Sequence, residues 1–183
     1  MNENENYNFF AMISRMKYIQ RWALMRNAES ENVSEHSLEV AEIAHALCLI
    51  GNKRLGKALN ADRAAVIAIY HDATEILTGD LPTPVKYFNK EIRHAYKDVE
   101  ATAAKSLTGH LPEDLKEAYM ELLSPGDEYA YEKKLVKGAD KLSAYIKCLE
   151  EKKAGNSEFM SAQESTLASI HEKIGRASCR ERV

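Results

Sequence analysis

The chain has 183 residues, 45% hydrophobic and 29% charged, with a net charge of −3; this suits one domain with a sizeable core and excludes disordered and collagen-like chains. Only 8 glycines and 4 prolines interrupt it, roughly half the average usage, which favours helices over many short strands. No apolar run approaches the ~18 residues that span a bilayer, the start MNENENYNFF lacks a basic signal-peptide segment, and Cys48, Cys148 and Cys179 have neither metal nor disulfide spacing, so a cytoplasmic protein is expected.

Periodicity reads as helix almost throughout. A first amphipathic segment covers about Phe9–Ile19, and a second, about Ser34–Ile50, carries Val40, Ala41, Ala44, Leu47 and Cys48 on one stripe. The third, about Ala61–Leu77, repeats the pattern with Ala64, Ile67 and Ala68. TGDLPTP then breaks the run, because Gly79, Pro82 and Pro84 forbid a continuous helix. Helices resume over about Asn89–Thr108, Pro112–Leu123 and Glu128–Glu151, and more weakly over Ser157–Lys173. In the long one, Leu135, Ala139, Leu142, Ile146 and Leu149 form the expected buried stripe. The final IGRASCRERV, with Arg176, Arg180 and Arg182, has no apolar face and looks like the translation of a sequencing adapter. Residues 174–183 are therefore set apart from a single all-α domain over residues 1–173. No basic patch remains, so nucleic-acid binding is not expected.

The third helix changes character along its length. After Ala64, Ile67 and Ala68 its inner face meets His71, Asp72 and Glu75 at helical steps. Titratable groups on a buried face are expensive unless something binds them, and a divalent metal would neutralise carboxylate and use imidazole nitrogen. The plain alternative is a polar helix end emerging into solvent. His36 points to the core side of the second helix, since Val40, Ile43 and Ala44 follow at four, seven and eight residues. His45 lies half a turn away at about 100° per residue and should face outward. Asp140, in KGADKLSAY, sits next to Ala139 and one step off the stripe.

The order His36, His71-Asp72, Asp140, on separate helices around one core, resembles the H…HD…D pattern of the HD-domain phosphohydrolase superfamily. QRWALMRN (20–27), ENVSEHS (31–37), YHDATEILTGDLPTPVKYFN (70–89) and LVKGADKLSAYIKCLEE (135–151) are similar to the bacterial 5′-deoxynucleotidases of the YfbR type. The similarity runs from about Phe9 to Lys173. Two departures stand out: Ala23 replaces an expected proline, and about one further C-terminal helix of the family is replaced by the adapter-like tail.

The resemblance implies that His36, His71, Asp72 and Asp140 hold one divalent metal, with cobalt supporting activity and manganese or zinc also permitted by mixed N/O ligation. Such a metal would engage a phosphate oxygen and lower the pKa of water, with Asp72 and Asp140 aiming that water. Glu75 is then the proton-transfer group, as acid or as base. Arg21 offers a planar fork to the monophosphate, and Trp22, the single tryptophan, lines the nucleoside pocket. Asp80, Leu81, Pro82 and Thr83 form a proline-stiffened substrate loop, in which Asp80 accepts from the 3′-hydroxyl and close packing excludes a 2′-hydroxyl. His94, His110 and His171 are expected at the surface, and Tyr70 and Tyr145 in the core.

The expected activity is metal-dependent hydrolysis of 2′-deoxyribonucleoside 5′-monophosphates to deoxynucleoside and phosphate, by a homodimer, with little base selectivity. Another HD-domain nucleotide phosphohydrolase is the enzyme alternative; a triphosphate site would want more cations than Arg21 and Lys86. The alternative from another class is a non-catalytic nucleotide-binding regulator, which would not need Glu75.

Overall fold

The computed structural model describes residues 7–86 and 88–179, with side chains as far as His171. The first six residues, the last four, and the side chains of Arg176 and Cys179 therefore lie outside the described residues. In chain order the helices are α1 (Phe9–Ile13), continued by a 3₁₀ turn over Ser14–Tyr18, α2 (Val33–Leu55), α3 (Ala61–Tyr70), α4 (Glu75–Thr78), α5 (Thr83–Lys86), α6 (Lys90–Thr108), α7 (Glu113–Leu123), α8 (Ala130–Lys153), which a 3₁₀ turn at Asp127–Tyr129 precedes, and α9 (Met160–Cys179). Apart from one isolated antiparallel bridge between Gln20 and Asn32, no β pairing occurs among the described residues. The all-α expectation holds.

Helix α2 forms where the sequence gives it a capping box. The Asn32 side chain accepts from the Ser34 and Glu35 N–H groups at 3.0 Å, and Glu35 accepts from the Asn32 N–H at 3.2 Å. Gly56 ends the helix at φ 63°, a left-handed conformation that lets the last carbonyls be satisfied. Val40, Ala41 and Ala44 of α2 pack with Ile67 and Ala68 of α3, Leu122 of α7, and Val136 and Ala139 of α8. Alanines at these facing positions keep the helix axes close, so residues at the rim of this core converge. His36, the turn after α3 and Asp140 all lie on that rim.

Four expectations need correction. The third helix is not continuous to Leu77: α3 ends at Tyr70, residues 71–74 turn, and α4 restarts at Glu75. Bonds of the i→i−3 kind replace the α pattern there (His71 N–H to Ala68 O, Ala73 to Tyr70, Glu75 to Asp72), which tightens the chain. The buried stripe of α8 is rotated: Val136, Ala139, Ser143, Ala144, Lys147, Cys148 and Glu151 are inside, whereas Leu135, Leu142 and Leu149 are half-buried and Ile146 is exposed. An apolar-inside reading fails because the polar members satisfy one another, with Lys147 paired to Glu151 at 2.5 Å. Within the proline break, Thr83–Lys86 forms the short α5, where Pro82 and Pro84 sit at the only turn that tolerates them. Helix α9 continues to Cys179 rather than ending at Lys173.

Among the described residues no helix is long and apolar enough to cross a membrane. Cys48 and Cys148 are buried and unpaired, and burial pushes both thiols up to about 11. Tyr70 packs against three core clusters, Tyr145 is half-buried, His94 and His171 are exposed, and His110 is partly exposed.

Candidate functional site

His36 enters from the first turn of α2 and is completely buried. His71 and Asp72 come from the turn after α3, and Asp140 from the middle of α8. One ligand atom each from His36, His71 and Asp72 lies within 4.8 Å of the others. Asp140 joins them through His36, its Oδ1 standing 3.3 Å from His36 Nε2. Asp72 Oδ2 is 3.1 Å from His71 Nε2 and 3.7 Å from His36 Nε2. Neither Nε2 has a hydrogen-bond partner, although both are buried.

The tight turn makes part of this geometry. His71 Nδ1 lies 2.7 Å from the Ala68 carbonyl, which only accepts, so Nδ1 carries the proton and Nε2 presents a bare lone pair. Two imidazole nitrogens facing two carboxylates are a donor set for a hard-to-borderline divalent cation. The charges agree. Burial works against ionising Asp72, but His71 brings it down to about 2. Asp140 is held well below the usual carboxylate range by His36, Lys141 and His71, against its burial. Burial disfavours charge on His71 too, yet Asp72 and Asp140 raise it.

Glu75 opens α4 and is 6% exposed, with Oε2 unpartnered, so it is not a solvated helix end. Burial first, then the charges of Asp72 and Asp80, push its carboxyl up to about 9. Gly79 turns the chain at φ 72°, and Asp80 follows, half-buried, its carboxyl raised by burial and Asp72 against the pull of Arg21. Leu81 and Pro82 are half-buried, and Thr83 is exposed. Lys86 bonds Glu100 at 2.8 Å and lies over the Tyr96 ring, where its charge bears on Glu75 and Asp80.

Arg21 and Trp22 stand at the neck of a loop closed by Arg21 N–H to Glu31 O and Val33 N–H to Ile19 O, both at 2.9 Å. Arg21 Nη1 donates to Glu31 Oε1 at 3.0 Å and lies 2.6 Å from His36 Nδ1. Burial opposes its charge, but Glu31, Asp140, Asp72 and Asp80 surround the guanidinium and raise it above its ordinary value. Trp22 is half-buried at φ 58°, tilted against Phe159, with Nε1 donating to Glu31 Oε2 at 3.0 Å. A non-glycine residue at positive φ is held there by its surroundings. His45 is outside the cluster, 3.5 Å from the exposed Asp62, as its helix phase required.

Sequence reasoning missed Glu31, which joins Arg21, Trp22 and His36. It lies in a loop, where periodicity is silent. Ser143 was also missed, though it follows Asp140 by one helical turn and signals the polar face of α8. A third omission is the tie that seats the loop. Glu151 accepts the Ala28 N–H at 2.8 Å, and Lys147 donates to Glu29 O and to Glu151, both at 2.5 Å.

The family described as 5′-deoxynucleotidase YfbR-like matches residues 8–179. The chain is 55% identical over 167 residues to 5′-deoxynucleotidase YfbR of Shigella dysenteriae, covering 88% of this chain and 82% of that one. It is equally identical over 164 residues to a 5′-deoxynucleotidase of Erwinia tasmaniensis, covering 88% and 83%. Among solved structures, an HD-domain phosphohydrolase of Listeria innocua superposes with a TM-score of 0.82 at 27% identity, covering 94% of this chain and 83% of that one. A cyanophage S-2L HD phosphohydrolase, solved with dA and one catalytic Zn²⁺ ion, shares the fold at a TM-score of 0.54 and 24% identity, covering 75% and 69%.

Proposed function

We propose that this chain, which belongs to the 5′-deoxynucleotidase YfbR-like family, hydrolyses 2′-deoxyribonucleoside 5′-monophosphates to deoxynucleoside and phosphate and uses one divalent metal. The observation that carries the metal reading is the pair of buried, unpartnered Nε2 atoms on His36 and His71, turned toward Asp72 and Asp140. These four residues would hold the ion, and cobalt, manganese or zinc suits them. When bound, such an ion neutralises phosphoryl charge and acidifies water.

The chain's own residues do the rest. Arg21, kept charged by the acids around it, binds the phosphate and stabilises charge that develops during transfer. Asp72 and Asp140, both ionised, accept hydrogen bonds from the attacking water and aim it at phosphorus. The new bond forms from water oxygen to phosphorus as the bond from phosphorus to the 5′ oxygen breaks. Glu75, which keeps its proton at neutral pH, gives it to that leaving oxygen as general acid, and the proton that the attacking water sheds returns the Glu75 carboxylate to its acid form. Trp22 supports the base. Asp80 accepts from the 3′-hydroxyl, with Leu81, Pro82 and Thr83 beside the sugar, where a 2′-hydroxyl meets close packing. The reading includes a homodimer in a reducing cytoplasm, in keeping with the unpaired Cys48 and Cys148.

Phosphate release from dAMP, dCMP, dGMP, dTMP, AMP and 3′-dAMP, after chelation and with Co²⁺, Mn²⁺ or Zn²⁺ restored, tests all of this. The four deoxynucleotides should fall within roughly tenfold of one another and AMP should be at least ~10²-fold poorer, a gap of about 3 kcal/mol. Turnover by protein shown to be metal-free ends the metal reading, and equal hydrolysis of AMP and dAMP leaves a general nucleotidase.

A further inference from the structure

Both carboxylate oxygens of Glu31 are taken up by the loop that carries Arg21 and Trp22. Oε1 accepts from Arg21 Nη1 at 3.0 Å, and Oε2 accepts from Trp22 Nε1 at 3.0 Å. The Arg21 and Glu31 side chains are each 12% exposed, so little water competes for their charge-assisted bond. The backbone closes the neck of the loop by itself, through Arg21 N–H to Glu31 O and Val33 N–H to Ile19 O. The Glu31 side chain is therefore left to orient two groups rather than to hold the loop shut. We propose that Glu31 is a positioning residue that couples the two ends of the substrate site: one carboxylate aims the Arg21 fork at the phosphate and the Trp22 indole at the base, so that both are placed as a unit. This rests on the roles given to Arg21 and Trp22 above.

A guanidinium has five N–H donors. Glu31 and His36 Nδ1 both engage Nη1, which leaves Nη2 and Nε to meet phosphate oxygens. Trp22 sits at φ 58°, where a non-glycine residue stays only if its surroundings hold it; the bond to Oε2 is one such hold and the tilt against Phe159 another. An amide at position 31 does not replace the carboxylate. It has one accepting oxygen and one donating nitrogen, so it serves Arg21 or Trp22 but not both. Arg21 also lies 5.9 Å from the centre of the Trp22 ring, a direct contact whose coupling has to be separated from the one through Glu31.

A base-free ligand separates them. 2-Deoxyribose 5-phosphate is measured as a competitive inhibitor of dAMP hydrolysis by the metal-loaded parent, Glu31→Gln, Trp22→Phe and the double variant. Glu31→Gln should raise KM for dAMP by roughly tenfold or more and keep the parent's metal content. Trp22→Phe keeps an aromatic ring and removes only the Nε1–H donor. It should nevertheless weaken the sugar phosphate by roughly threefold or more, although that ligand has no base to lose, and this effect should vanish when Glu31→Gln is already present. No weakening by Trp22→Phe overturns the proposal, and so does equal weakening in both backgrounds, which would assign the coupling to the direct Arg21–Trp22 contact. Metal loss from Glu31→Gln also overturns it, by placing Glu31 behind His36 instead. Should the parent hydrolyse no dAMP, the functional reading fails by itself, and emission of Trp22, the single tryptophan, decides the role of Glu31. Inorganic phosphate should change that emission in the parent and not in Glu31→Gln; no change in the parent, or the same change in both, overturns the proposal.

Discussion

Two regions build the candidate site, and they are held by opposite means. The His36, His71, Asp72 and Asp140 cluster stands on helices joined by an alanine-rich core, in which Val40, Ala44, Ala68 and Ala139 are completely buried. In the loop that carries Arg21 and Trp22, the indole leans on Phe159. Polar ties seat the loop: Glu31 at its neck, Lys147 and Glu151 on α8, and Asn156, which donates to Arg26 O at 2.7 Å. Close packing is stiff and non-directional, so it suits a cluster that has to hold its shape against charge repulsion. Hydrogen bonds fix direction, which is what a guanidinium fork and an indole ring need to meet a phosphate and a base. Damage to the first region should therefore abolish chemistry, and damage to the second should weaken binding.

The largest effect should follow from breaking the packed cluster itself. His36→Ala should lose both bound metal, read by elemental analysis, and dAMP hydrolysis, whereas His45→Ala, half a helical turn away, should keep both. Equal losses would mean that helix phase does not select the ligand.

Glu75 comes next. Glu75→Gln should slow turnover by roughly 10² or more while metal and dAMP still bind. It should also change stability in a set direction. The folded protein keeps the Glu75 proton up to about 9, whereas an ordinary carboxyl loses it near 4.5. The parent therefore loses stability as pH rises between those values, and Glu75→Gln should flatten that decline and melt higher than the parent at pH 8. A lower melting temperature at pH 8 would count against a buried, protonated Glu75.

On the binding side, Asp80→Ala should raise KM for all four deoxynucleotides by about tenfold, with a smaller change in kcat, because it removes a contact to a feature they share. A loss confined to one base would assign Asp80 to base recognition instead. The smallest effect on chemistry belongs to the loop's anchor. Glu151→Ala leaves Lys147 buried without its carboxylate and should lower stability by about 3 kcal/mol, the low end for a broken buried pair because Lys147 keeps its bond to the Glu29 carbonyl. It should raise KM for dAMP while the kcat of the folded protein stays within a few-fold, which steady-state kinetics below the melting transition will show.

Much of the cluster was legible from helix phase alone. Val40, Ile43 and Ala44 placed His36 inside and His45 outside, and both lie where that spacing put them. The same reasoning misread α8. It turned Leu142 and Ile146 inward because it gave the core only to apolar side chains, and so it overlooked Ser143, Lys147 and Glu151. A buried polar residue is recognisable only with its partner, and these partners are distant in sequence: Glu39 for Ser143, the backbone of Ala28 and Glu29 for Glu151.

The turn after α3 illustrates the same division at shorter range. HDATE reads as uninterrupted helix by spacing, and no glycine or proline interrupts it. In the folded chain i→i−3 bonds take over at His71, and the Ala68 carbonyl receives the His71 ring. Composition and periodicity thus determined that the chain is all-α, where most helices lie, and which histidine faces the core, because burial of apolar faces is a local, periodic property. Tertiary structure decided the break before Glu75, the polar face of α8 and the seating of Arg21 by Glu31, because hydrogen bonds between distant groups depend on where the chain returns, which no window of sequence contains.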